Sequence, residues 1–176
     1  MSFNAGGSSG NRILIEKQTV AAAASMIFNT GISGFDRYEI EFYNFLNATN
    51  TQNLYLRMAV DGGTDWAASS YASISSFAIP SGVGQTTVTA AIYVTNSQDN
   101  ATATRTANGF MKIYNVLSTS VWKQVIGVTG YNHGAGIAST TNHGDYESTT
   151  AVNAFQLIYA SGNITSGTAC LYGIQD

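Results

Sequence analysis

Charge is what this chain has least of. Only 10% of its 176 residues are Asp, Glu, Lys or Arg, against about 25% in an average soluble domain. Lys and Arg number seven and the net charge is −3, with no basic run anywhere. Nucleic-acid binding draws on clustered Lys and Arg that displace phosphate counterions, so the sequence points to no nucleic-acid partner. The surface is left to Thr, Ser, Asn and Gly. A weakly charged surface suits a protein packed against partners, because little charge has to be desolvated on docking.

Other absences narrow the field further. The lone cysteine, Cys170, has no partner for a disulfide and no local base or cation to activate it. It reads as a buried thiol in a strand, and secretion is neither required nor excluded. No stretch approaches the roughly 20 apolar residues that span a bilayer, so no membrane partner is expected. Residues 1–12 (MSFNAGGSSGNR) have neither the basic region nor the apolar run of a signal peptide, and read as a flexible arm. The sequons at Asn47, Asn100 and Asn163 match a glycosylation pattern that a chain rich in Asn and Thr produces by chance.

What is present is hydrophobic material, 44% of the chain, arranged with the strand period of two. In residues 36–44, Tyr38, Ile40 and Phe42 alternate with Arg37, Glu39, Glu41 and Tyr43. In residues 53–60, Leu54, Leu56, Met58 and Val60 alternate with Tyr55 and Arg57. Residues 85–95 repeat the pattern, and further strands are expected at 13–20, 25–29, 109–117, 121–129, 152–159 and 168–174. The turn signals Asp61-Gly62-Gly63, Pro80-Ser81-Gly82 and Ser161-Gly162-Asn163 fall between them. A run of four alanines, Ala21 to Ala24, is far short of the ~12 residues an isolated helix needs. Eight or nine strands and no amphipathic helix predict an all-β fold, an antiparallel β-sandwich of jelly-roll type, over residues 13–176. Residues 98–108 and 132–150 read as polar loops, the second long enough to carry function.

Motifs that would carry chemistry are weak. Gly31-Ile32-Ser33-Gly34 lacks the spacing and helix of a serine-nucleophile elbow. Gly82-Val83-Gly84 leads into a strand rather than a helix, so it is no phosphate cradle. His133 and His143, with Asp145 and Glu147 close behind, have the chemistry of a zinc site but no metal-ligand spacing; solvated loop histidines are the simpler account. Asp61-Gly62-Gly63-Thr64-Asp65 offers oxygens to calcium but reads as a turn. Glu39 and Glu41 share a strand face, and the acids define no glycosidase pair. Trp66, Tyr71, Trp122 and Tyr131 have rings that stack on sugars, and core packing explains each as well. The expectation is a binding or structural domain, not an enzyme, with no cofactor.

Three stretches together carry a resemblance. Phe35-Asp36-Arg37-Tyr38-Glu39-Ile40-Glu41-Phe42 resembles the F-D-x-Y-x-I strand common in bacteriophage virion proteins. Leu54-Tyr55-Leu56-Arg57 with Asp61-Gly62-Gly63-Thr64 resembles the strand and turn that follow it. Phe155-Gln156-Leu157-Ile158, then residues 162–174 (GNITSGTACLYGI), are similar to a terminal hairpin of those proteins. The resemblance runs from about Phe35 to the C-terminus, most thinly in the middle third. It is shared by capsid cement (decoration) proteins and by tail fibre and tail-tip proteins, and it carries no catalytic residue to transfer. It implies a virion component. The absence of a stalk favours a cement protein on the capsid surface, a homotrimer whose partner is the major capsid protein. A tail module that binds a host receptor or glycan is the alternative, and a glycan hydrolase ranks behind both. The arm residues Ser2, Phe3, Asn4 and Arg12, together with Trp66 and Tyr131, are the candidate partner-binding residues.

Overall fold

The computed structural model describes residues 11–134 and 136–175. Among them the chain forms twelve strands and no helix. In order these are β1 (Arg12–Ala23), β2 (Ser25–Phe28), β3 (Arg37–Asn47), β4 (Leu54–Ala59), β5 (Tyr71–Ile79), β6 (Gly82–Val88), β7 (Ile92–Tyr93), β8 (Ala107–Tyr114), β9 (Lys123–His133), β10 (Gly136–Tyr146), β11 (Ala154–Tyr159) and β12 (Ile164–Ile174). They make two antiparallel sheets, one of eight strands in the order β1-β12-β3-β8-β9-β10-β5-β6 and one of four, β2-β11-β4-β7. The sheets pack on each other around a shared core, so the all-β sandwich expected from the sequence is what forms. The jelly roll rested on a count of eight or nine strands. With twelve strands divided eight and four that premise goes, and the sheet order itself describes the fold.

Alternation explains the central strands. Tyr38, Ile40 and Phe42 of β3 and Leu54, Leu56 and Met58 of β4 are all buried, and Phe155 and Leu157 of β11 close over them. Each such side chain contributes about 1.5–3 kcal/mol on leaving water. β1 and β2 are separated by Ala24 alone yet lie in different sheets. Ala22 adopts φ +57 just before that crossing, a left-handed turn of the chain in place of the helical turn an alanine run favours.

Four expectations need correction. The stretch 132–150 is not a loop: β10 occupies most of it and pairs with β9 as a hairpin, Gly136 opposite His133 and Tyr146 opposite Lys123. β5, unforeseen, pairs with β10 on its other side. Residues 85–95 are not one strand but β6 and β7, which belong to different sheets. The terminal segment is no hairpin either, since β11 pairs with β2 and β4 while β12 pairs with β1 and β3. The polar stretch 98–108, a loop as expected as far as β8, is pinned by hydrogen bonds. Gln98 is fully buried, and its Nε2 donates to the Phe45 carbonyl at 2.8 Å. Asp99 accepts the Ala101 N–H at 2.7 Å and pairs with Arg105. That N–H foremost, and Arg105 with it, hold the Asp99 carboxyl below its usual range against the opposing effect of burial.

Candidate interaction face

The larger sheet turns one face to the core and leaves the other outward, and strand register shows what that outer face carries. One row crosses the sheet from Leu14 through Tyr172, Glu39, Lys112, Ile126 and His143 to Ile74. The adjacent row runs from Lys17 through Cys170, Glu41, Phe110, Val128 and Thr141 to Ser76. The face therefore has two halves of different chemistry.

On the β1–β12–β3–β8 half Arg12, Glu39, Glu41 and Lys112 are paired among themselves. One nitrogen of Arg12 lies 2.9 Å from a carboxylate oxygen of Glu39 and 2.9 Å from one of Glu41. Its guanidinium carbon stands 4.0 Å from the centre of the Tyr172 ring, and Lys112 approaches Glu39 at 4.0 Å. Two like charges two residues apart on one strand repel, and the shared guanidinium offsets that repulsion. Arg12, placed at the end of the arm by the sequence, opens β1 and closes this clasp. Glu39 is nearly buried beneath it. Cys170 is buried here as a free thiol.

The β9–β10–β5 half is apolar and open. Ile126, Val128 and Ile74 remain 46%, 43% and 41% exposed, with the exposed His143 between Ile126 and Ile74 and Thr141 beside Val128. Scattered exposed apolar residues need no explanation, but side chains aligned by register make a patch.

The other residues singled out by sequence fall elsewhere. Tyr131 is buried; its hydroxyl accepts the Asn96 N–H at 3.2 Å and the Thr140 hydroxyl at 3.2 Å. It presents no ring face to a ligand, because β9 alternation turns it inward. Trp66 is half-buried over the turn after β4, where a side chain on Gly63 would come within 2.8 Å of its ring. In the same turn Asp61 accepts the backbone N–H groups of Thr64 at 3.1 Å and Asp65 at 2.8 Å, the commitment of a turn-former rather than an open calcium ligand. His143 pairs with Ile126 and His133 with Gly136, which places the imidazoles roughly 23 Å apart along the hairpin at 3.3 Å per residue. They cannot share a metal, and among the described residues no group of three His, Cys, Asp or Glu is placed to hold one. Ser2, Phe3 and Asn4 lie outside the described residues.

Comparison with known proteins adds no relative. The chain matches no family model, no curated protein and no solved structure. Its reading therefore rests on its own geometry and on the three stretches described above.

At the rim of the apolar half stands a second feature, of which the sequence offered only the Trp122 ring. Val121 and Trp122, just before β9, are 48% and 49% exposed. Beneath them Lys123 points inward, fully buried, and its ammonium donates to the carbonyls of Ser118 at 2.7 Å and Ser148 at 3.0 Å. Burial pushes that ammonium's pKa below the ordinary lysine range, with the charge of Asp36 acting the other way. The lysine fastens the segments before β9 and after β10 to each other and so fixes where Trp122 stands. A signal was available. Strand β9 reads Lys123-Gln124-Val125-Ile126-Gly127-Val128, with apolar residues on both faces, the pattern of a strand meant to be covered twice.

Proposed function

We propose that this chain is a non-enzymatic structural component of a bacteriophage virion, a cement protein that docks as a homotrimer on the outside of the capsid shell and clamps neighbouring major capsid subunits. The observation that carries it is the open apolar half of the large sheet, with Ile74, Ile126 and Val128 exposed in register. A patch of that kind favours burial against a protein surface. The other half supports the same reading, since charges already paired in Arg12, Glu39 and Glu41 ask for no new partner when covered. The likeness of residues 35–42, 54–64 and 155–174 to virion proteins gives the class of particle.

The alternative, a tail fibre or tail-tip module that binds a host receptor or glycan, is favoured by one observation, the exposed ring of Trp122. Copy number separates the two. Hundreds of copies per particle, trimers in sedimentation, and a loss of heat resistance when the protein is stripped from the shell support the cement reading. A few copies located on the tail, with binding to host cells, replace it with the second.

A further inference from the structure

We infer that the corner formed by Trp122 and Asp145 is a docking pocket for an arginine side chain presented by a partner protein. It deepens the binding reading above, on which it rests, by naming where the contact is made and by what chemistry.

Asn115, Ser120, Val121, Trp122, Gln124 and Asp145 line one cavity of about 560 Å³ at the rim of the large sheet. Gln124 and Asp145 are register partners across β9 and β10, and the Asn115 amide fixes the loop by donating to the Trp122 carbonyl at 3.1 Å. The apolar wall is the half-exposed pair Val121 and Trp122. The polar wall is Asp145, whose Oδ1 is buried while no donor among the described residues reaches it. A buried acceptor left without a donor costs about 1–3 kcal/mol, more when it is charged. A guanidinium that meets the outward side of this half-buried carboxylate offsets that cost through its charge.

The charge of the corner selects the occupant. Glu147 stands with Asp145 and His143 along the adjoining groove of β10 and β5. The nearest cation in sequence, Lys123, is turned away and spent on the Ser118 and Ser148 carbonyls. Arg12 and Lys112 are engaged with Glu39 and Glu41 in the other half of the face. An incoming cation therefore meets the Asp145 and Glu147 carboxylates, and no Lys or Arg of the described residues lines either cavity. Arginine fits better than lysine because its planar guanidinium stacks on an indole while its N–H groups reach a carboxylate at the edge. An exposed Trp beside a half-buried carboxylate is also the composition of an energetic centre in protein interfaces.

The test uses the full chain, with the indole N–H resonance of Trp122 as reporter and Trp66, the second of two tryptophans, as internal reference. An acetylated and amidated Gly-Arg-Gly peptide shifts Trp122 and leaves Trp66 in place, whereas Gly-Gln-Gly does neither. Asp145→Asn keeps or raises the thermal midpoint, because its Oδ1 has no donor to lose and the charge at that buried atom is removed, and weakens the arginine peptide by about tenfold. Trp122→Ala, at an exposed position, folds and loses comparable affinity for phage particles stripped of the protein. Equal binding of the arginine peptide by wild type and Asp145→Asn overturns the proposal. So does a neutral oligosaccharide that shifts Trp122 as strongly and independently of Asp145. If wild type fails to rebind stripped particles while the peptide titration succeeds, the shell reading falls and the pocket stands. If both variants rebind particles like wild type, the pocket falls and the shell reading stands.

Discussion

The hydroxyl of Tyr159 donates a hydrogen bond of 2.8 Å to the side-chain carbonyl of Gln98, and both residues are buried. This one bond ties the last residue of β11, in the small sheet, to the connection between β7 and β8. Gln98 passes the tie on through its amide to the Phe45 carbonyl of β3 in the large sheet. Tyr159→Phe is expected to cost about 1–2 kcal/mol in urea unfolding, and Gln98→Leu more, because it strands both a buried hydroxyl and a buried carbonyl. Burial raises the Tyr159 phenol far above its ordinary value despite the Gln98 bond, and burial does the same at Tyr71. A folded-state pKa raised above the unfolded one contributes stability that is complete below about pH 10 and is lost as pH rises beyond it. Phenolate absorbance should therefore contain a late component that appears together with unfolding. A smooth titration of every tyrosine with the fold intact would contradict the burial of these two.

Lys123 places a charge in an apolar setting to hold two loop carbonyls. Lys123→Met keeps the length and apolar stem of the side chain but leaves the Ser118 and Ser148 carbonyls without their donor. The expected loss is about 1–3 kcal/mol, with faster hydrogen exchange confined to residues 115–122 and 147–150. Exchange that rises evenly across the sheet would mean that the lysine matters for the core and not for the rim.

How much of this was legible in the sequence depends on what each strand buries. β3, β4 and β11 declare themselves because their inward positions are Tyr, Phe, Ile, Leu and Met. β5 and β10 hide because several of theirs are polar. Ser75 of β5 donates to Asn142 of β10 at 2.9 Å, Asn142 donates to the Val94 carbonyl at 3.3 Å, and Thr140 donates to Tyr131. Those polar groups satisfy one another across two neighbouring strands, so neither strand shows an apolar alternation when read alone. The same holds for the site. Exposed Ile126 and Val128 look like core residues in a sequence, and only register shows that they point away from it. Arg12 could be named, but not its clasp, because Glu39 and Glu41 lie more than two dozen residues away and two strands over.

Two glycines of β9 should respond oppositely to the same substitution. Gly127 faces inward, where a methyl group would sit 2.7 Å from the Phe110 carbonyl and against the Met111 sulfur. Gly127→Ala is expected to cost about 1–3 kcal/mol by overpacking. Gly130 faces outward with nothing within 4 Å of an added Cβ. Gly130→Ala should be neutral or stabilising by about 0.5–1 kcal/mol, since alanine has less chain entropy to lose. Thermal midpoints of the two variants check the inward and outward assignment of the whole strand, and a reversed order would shift its register by one.

The outer face offers the sharpest separation of folding from assembly. Ile126 is 46% exposed in the single chain, so Ile126→Lys removes little buried area and should change the stability of the chain by no more than about 0.5 kcal/mol. If the face is covered in the assembled state, the same substitution places an ammonium between its register partners Lys112 and His143, where no carboxylate stands opposite it. Charge buried without a partner is costly, so trimers should dissociate or particle binding should fall while the circular-dichroism spectrum stays that of a β protein. Val60→Lys is the control, an apolar residue 38% exposed just beyond β4 of the small sheet, and it should leave both properties alone. Assembly equally tolerant of both lysines would show that the large sheet keeps its outer face to solvent.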